Sequence, residues 1–184
     1  MQEIAKKAGN KKVRLMFQDE GRFGLMDKPS GCWSPPGFRP DSSSRLIREY
    51  IYGYCAVSPH DGEMVSLVLP YANHESMSVF LRETSERYPD DYIAMLMDRA
   101  GWHIANDLEI PENMCLMFLP PYSPELNPIE HVWDDLREKH LKNRFFKNLN
   151  ALEDRLCFGL KTMEDNQKYI SSFAEFFVIR HDFK

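Results

Sequence analysis

The chain has 184 residues, 43% hydrophobic and 12% aromatic, with a formal charge of −5. It is long enough to bury one core and of the usual size for one domain, so a single globular domain over residues 1–184 is expected. That acidic balance and the pI near 5.7 argue against a freestanding DNA-binding module, which needs clustered Lys and Arg to neutralise phosphates.

Cys32, Cys55, Cys115 and Cys157 are scattered with no C-x-x-C pair, which disfavours a zinc module or disulfide framework and fits a reduced cytoplasm. The first ten residues are largely polar with no apolar h-region, and no stretch approaches the ~18 consecutive apolar residues of a membrane span.

Val13 to Asp19 (VRLMFQD) alternates Val13, Leu15 and Phe17 on one face with Met16 on the other. The pattern predicts a strand fully buried on the first face and partly on the second, with Asp19 and Glu20 at its end pointing to opposite faces. Phe23 to Pro40 is rich in Pro and Gly and reads as a long loop carrying Trp33, either exposed or binding. Glu49–Val57 and Met64–Leu69 are aromatic and β-branched enough for two strands, and Asp61-Gly62 between them favours an antiparallel hairpin. Asn73 is a candidate N-cap for a helix with Met77, Phe80, Leu81 and Tyr88 on one stripe, ended by Pro89.

Tyr92 to Asp98 (YIAMLMD) is a second buried strand ending in an aspartate, with Ile93, Met95 and Met97 on one face and Tyr92, Ala94 and Leu96 on the other. Arg99 to Asn106 suits a short helix or turn, and Met114–Leu119 a fifth strand. Pro120 to Trp133 then reads PPYSPELNPIEHVW. Its prolines forbid regular structure until Asn127 can cap a helix with Pro128 at the first position, where a missing N–H costs nothing. Ile129, Trp133, Leu136 and His140 form its mostly apolar stripe. Asn127 and Glu130 have capping-box spacing, and Glu at that position is common for that reason alone. A second capping box, Asn150 and Glu153, opens a helix with Leu152, Leu156, Leu160 and Met163 inward. Tyr169 to Val178 suits a last helix.

Capping does not account for the proline-tyrosine-serine-proline run. The whole string resembles the last catalytic motif of the DDE transposases, in the mariner-like superfamily and its bacterial insertion-sequence relatives. LMDRAGWH around Asp98 is similar to that family's second motif, an aspartate followed by small residues and a histidine, here His103. The resemblance covers roughly Lys12 to Leu160. It implies an α/β, ribonuclease H-like fold: a five-stranded mixed sheet, three antiparallel strands then two parallel, flanked by helices, with the first and fourth strands side by side. It also implies that Asp19, Asp98 and Glu130 are the catalytic, metal-binding carboxylates.

Two carboxylates at neighbouring strand ends repel unless a proton or cation lies between them, and Mg²⁺ or Mn²⁺ prefers such oxygen ligands. Two ions held by three carboxylates serve in-line displacement at phosphorus, so one site can cut DNA and then join it. Each acid also has a bland reading: a strand-end Asp near a Gly is often a turn residue. Asp134, one turn from Glu130, is its competitor. Glu20, His103, Asn127 and Trp33 are candidates for supporting the site or touching DNA, and His131 for solvated surface.

Lys139 to Lys147 (KHLKNRFFK) is basic and acid-free. Lys139, Lys142, Arg144 and Lys147 are either an ordinary charged helix end or phosphate contacts along a DNA path. The separation of Asp98 from Glu130 is somewhat shorter than the mariner-like pattern, leaving the subgroup open. The partners implied are DNA (element ends and target) and a second copy of the chain, with no membrane and nucleoid association when DNA is bound. A complete transposase of this kind has an N-terminal helix-turn-helix region, which is expected to be absent here, as in a fragment, a frameshifted second frame or a degenerate copy. The alternatives are a ribonuclease H-like nuclease that cuts without joining and a silent remnant that only binds DNA or pairs with a partner.

Overall fold

The computed structural model describes residues 2–25, 35–37, 48–121, 126–142 and 144–172. In chain order the elements are α1 (Gln2–Ala8), β1 (Lys12–Gly24), β2 (Tyr50–Val57), β3 (Met64–Leu69), α2 (His74–Arg87), β4 (Asp91–Met97), β5 (Met114–Phe118), α3 (Ile129–Leu136) with a π-helical turn at Arg137–Leu141, and α4 (Leu149–Glu164). The strands form one sheet in the order β3-β2-β1-β4-β5, with β1–β2 and β2–β3 antiparallel and β1–β4 and β4–β5 parallel. The first and fourth strands are neighbours at the centre, as expected.

Alternation along the strands gives each face its own core. One face, with Met16, Tyr54, Val65, Ile93, Met95 and Met97, packs on Met77, Phe80 and Leu81 of α2. The other, with Phe17, Phe23, Ile51 and Cys55, packs on Ile129, Trp133 and Leu136 of α3 and Leu156 and Leu160 of α4. Helix α2 starts at the expected cap, where Asn73 Oδ1 accepts from Ser76 N at 2.9 Å. Gly62 turns the β2–β3 hairpin at φ +70°, in the left-handed region that glycine favours. Among the described residues, no helix is long and apolar enough to cross a membrane.

Several expectations are corrected. Strand β1 does not stop at Asp19; it runs 13 residues to Gly24, into the stretch read as loop. It pairs with β4 over Lys12–Phe17 and with β2 over Phe17–Gly24, so it changes neighbours at Phe17. Its burial is also reversed at the start, with Val13 38% and Leu15 41% exposed while Arg14, Met16 and Gln18 are buried. The α3–α4 layer takes Phe17 and Phe23 of β1 into its core but not the strand's beginning. Arg14 can be buried because Asp61 and Asp91 accept from it at 2.7 and 2.6 Å and the Tyr88 ring lies under it at 4.1 Å.

Helix α4 is capped by Asn148, whose Oδ1 accepts from Ala151 N at 2.9 Å, in place of the expected Asn150. Helix α1 has no counterpart in the sequence expectations. Residues 167–172 are helical, so the last helix starts two residues before the expected Tyr169; its expected remainder to Val178 lies outside the described residues, as does Trp33.

Candidate active site

The β1–β4 register pairs Phe17 with Leu96. Asp19 and Asp98 each follow that last pair by two residues, Asp98 just past the end of β4 and Asp19 where β2 alone holds β1. Asp19 is therefore inside a strand, paired with Cys55, rather than at its end. A crevice where parallel strands stop is where α/β sheets commonly hold ligands.

Asp19 faces the α3 side. Its Oδ2 accepts from the indole N–H of Trp133 at 3.0 Å. Burial and the negative charge of Glu20 push its carboxyl up to about 7; the Trp133 bond opposes this, and the charge of Glu130 adds to it. Asp98 is 62% exposed at its side chain. Its Oδ1 accepts from Ala100 N at 2.9 Å and lies 2.8 Å from His103 Nδ1, and the histidine bond holds its carboxyl below the usual value.

Glu20 points to the other face, as alternation requires. Its Oε1 lies 2.9 Å from His103 Nε2 and accepts from Gln18 Nε2 at 3.0 Å and Trp102 Nε1 at 3.4 Å. His103, 2% exposed, thus bridges Asp98 and Glu20 with its two ring nitrogens. Burial works against a charged ring, but the hydrogen bonds to Asp98 and Glu20 outweigh it and raise His103 to about 10. The ring is an imidazolium donating at both ends.

Glu130 is exposed in the first turn of α3. The expected capping box is not made: Asn127 Oδ1 accepts from Ile129 N at 3.2 Å, and no partner of the Glu130 carboxylate is found among the described residues. Asn127 has a second task, since its Nδ2 donates to the Gln18 carbonyl at 3.1 Å and ties the start of α3 to β1 beside Asp19. The competitor Asp134 is 78% exposed and 3.7 Å from Arg137, and His131 is exposed.

Among the described residues, no three His, Cys, Asp or Glu side chains are gathered round one point as a metal ion requires. Asp98 is turned to His103, and Glu130 reaches Asp19 through its charge alone. The donor chemistry nevertheless suits a hard cation, because Asp19 is an acid crowded by two negative neighbours and opposed by neutral N–H groups, those of Trp133 and the Glu20 backbone.

Of the basic residues, Lys139 lies 2.9 Å from Asp135 and also meets the Tyr169 hydroxyl, and Lys142 is paired with Glu138. Arg144 and Lys147 are exposed. Sequence reasoning missed Trp133, Gln18 and Trp102 as site residues. Trp133 had been placed in an apolar stripe, although a buried indole also needs an acceptor for its N–H.

A family model described as DDE superfamily endonuclease matches residues 14–153. The chain belongs to the DDE superfamily endonucleases. It is 40% identical to an uncharacterized protein, y4pE/y4sA, of Sinorhizobium fredii (strain NBRC 101917 / NGR234), over 67% of this chain and 90% of that protein. It is 26% identical to the Tc3 transposase of Caenorhabditis elegans, over 84% of this chain and 50% of that one. In fold, this DDE endonuclease chain resembles the Mos1 mariner paired-end complex with Mn, with a TM-score of 0.61 at 16% identity, over 88% of this chain and 54% of the Mos1 chain. The mixed sheet is thus the ribonuclease H-like one. The chain spans about half the length of these two transposases.

Proposed function

We propose that this chain is the catalytic domain of a DDE transposase, cutting DNA strands and joining them to a target by in-line displacement at phosphorus. One observation supports the reading: Asp19 and Asp98 each follow the last β1–β4 pair, Phe17–Leu96, by two residues, and the charge of Glu130 acts on Asp19. Asp19, Asp98 and Glu130 would hold Mg²⁺ or Mn²⁺, two ions in the full reading. Such ions activate a water or 3′-hydroxyl and neutralise charge on the phosphate and leaving oxygen.

The chain's own residues set the site up for this. Asn127 fixes the N-terminus of α3, and so Glu130, against β1. His103, itself anchored on Glu20, holds the Asp98 carboxylate at the end of β4. DNA is the substrate, and two copies of the chain would act on paired ends. Arg144 and Lys147, exposed beyond the π-turn, would meet phosphates, as would Lys139 and Lys142 on leaving Asp135 and Glu138.

The test is a supercoiled plasmid carrying the DNA that flanks the gene, incubated with the chain and Mn²⁺ beside Asp19→Asn and Asp98→Asn. Nicked and joined products from the parent, both lost in the variants, are expected. Nicking without joining would replace the reading by a nuclease. Parent products that persist in both variants would remove the site.

A further inference from the structure

We propose that Trp133 is the positioning residue of Asp19, deciding which of its two oxygens is left for a cation; this rests on the reading of Asp19 as a metal ligand. The indole is 1% exposed, and its N–H donates to Asp19 Oδ2 at 3.0 Å. A carboxylate on an extended strand turns easily about its last bond, which has a broad, roughly two-fold profile. Held at Oδ2 by the indole, with the Glu20 backbone N–H as a weaker donor, it loses that freedom.

The ring that does the holding is itself immobilised from the sheet. Gly21 and Gly53 are direct cross-strand partners, and both leave space beneath the indole. A Cβ at Gly21 would stand 2.7 Å from Phe23 Cε2 and 3.0 Å from Trp133 Cδ2, and one at Gly53 would stand 3.2 Å from Phe23 Cε2 and at ordinary contact, 3.4 Å, from the indole's six-membered ring. Phe23 closes the side with an edge contact, ring centroids 5.7 Å apart at 68°. Two glycines facing one another in a central strand pair weaken the sheet, and here they seat Phe23 and, beside it, the ring that reaches Asp19.

The donor type matters as well. An indole N–H satisfies one oxygen while leaving the carboxylate its full charge; a Lys or imidazolium in its place would compete with the cation for that charge. Asp98 has such a cationic partner in His103, and Asp19 has none among the described residues. Partners one step behind a ligand typically change metal affinity by about 10–100-fold when lost.

The experiment is a calorimetric Mn²⁺ titration of the full chain beside Trp133→Phe, Asp19→Asn and Leu136→Val, each first shown by thermal unfolding to be folded at the titration temperature. Trp133→Phe keeps an aromatic ring over the glycines and removes the donor. Leu136→Val loosens the same helix at a fully buried site packed towards Gly159 of α4. Binding about tenfold weaker in Trp133→Phe, absent in Asp19→Asn and parental in Leu136→Val is expected. Parental affinity in Trp133→Phe while Asp19→Asn has lost binding overturns the proposal and leaves Asp19 a ligand. Equal losses in Trp133→Phe and Leu136→Val reduce the tryptophan to packing and overturn it too. No binding by the parent, or parental binding in Asp19→Asn, overturns the proposal and the ligand reading together.

Discussion

Asp19 and Asp98 each lie two residues past the last β1–β4 pair, Phe17–Leu96, and their surroundings differ in every respect that sets a carboxylate's charge. Asp19 is partly buried within β1, beside Glu20 and within reach of Glu130, with a neutral indole N–H as its donor, and its carboxyl is pushed up to about 7. Asp98 is open to solvent past the end of β4, with an imidazolium and a backbone N–H on one oxygen, and its carboxyl is held low. The contrast shows that the fold handles the two acids in opposite ways. One takes up a proton readily, and the other has a positive partner supplied by the fold.

The strongest way to break this contrast is to remove the positive partner. His103→Ala leaves Glu20, 6% exposed at its side chain, without its cation and frees Asp98. Removing one member of a buried pair costs about 3–5 kcal/mol, and the low end is expected because Gln18 and Trp102 still donate to Glu20. Urea unfolding reads the loss. A cost below about 1 kcal/mol is the behaviour of an exposed surface pair and would deny the bridge its role.

Next in size are the two asparagine substitutions, measured with a chelator at pH 8, where both aspartates are ionised. Asp19→Asn removes a charge from an acid-crowded site, and its amide oxygen can still accept from Trp133; the thermal midpoint should rise by about 2–4 °C, the equivalent of about 1 kcal/mol in a chain of this length. Asp98→Asn takes a charge from beside an imidazolium and should lower the midpoint by a similar amount. Both should abolish strand cutting if the proposed function holds. Midpoints moving in the same direction would mean that the two sites are electrostatically alike.

Much of this arrangement is legible in the sequence because it follows local rules. Alternation in YIAMLMD marks β4 and leaves Asp98 just beyond it, Asn73 and the prolines punctuate helices, and the PPYSPELNPIEHVW string marks the entry to α3. The parts that were missed depend on which surfaces meet. The sequence pattern ends the strand at Asp19 and Glu20 and begins a loop at Phe23, yet β1 runs to Gly24, and Gly21 is where the Phe23 and Trp133 rings need space. Val13 and Leu15 alternate correctly, but the α3–α4 core does not reach them. Asn148 and Asn150 are equally good caps by composition; the extended backbone at Asn148, φ −158° and ψ 174°, decides between them. The Asp19–Trp133 bond joins residues 114 positions apart, and local periodicity carries no information about it.

A smaller effect sharpens the contrast through pH. In the metal-free protein Asp19 has a folded value of about 7 against 3.8 for the free side chain. Between those values the folded state binds more protons than the unfolded one, so this group's contribution to stability falls as pH rises from about 4 to about 7. Asp98 has the opposite sign: lowered in the fold, it stabilises above the free value of 3.8 and loses that contribution as pH falls through its folded value. The stability difference between parent and Asp19→Asn should therefore change between pH 4 and 7 and level off above. The difference between parent and Asp98→Asn should already be level across that range. A sloping Asp98 difference there would place its titration near that of Asp19.

The smallest expected effect asks whether Glu130 belongs with one aspartate or with both. Its charge raises the Asp19 carboxyl, but it ranks behind burial and Glu20 among the causes, and it does not figure among those acting on Asp98. Glu130 is exposed, so water and salt screen it. Glu130→Gln should then move the titration of Asp19 downward, by less than neutralising Glu20 does, and leave that of Asp98 in place, as followed by carboxyl ¹³C NMR with chelator present. Raising the salt concentration in the parent should give a shift of the same sign, because screening weakens the same repulsion. If Asp98 moved as far as Asp19, the three carboxylates would form one electrostatic cluster even without metal, and the division between a crowded acid and a paired one would fail at its third member.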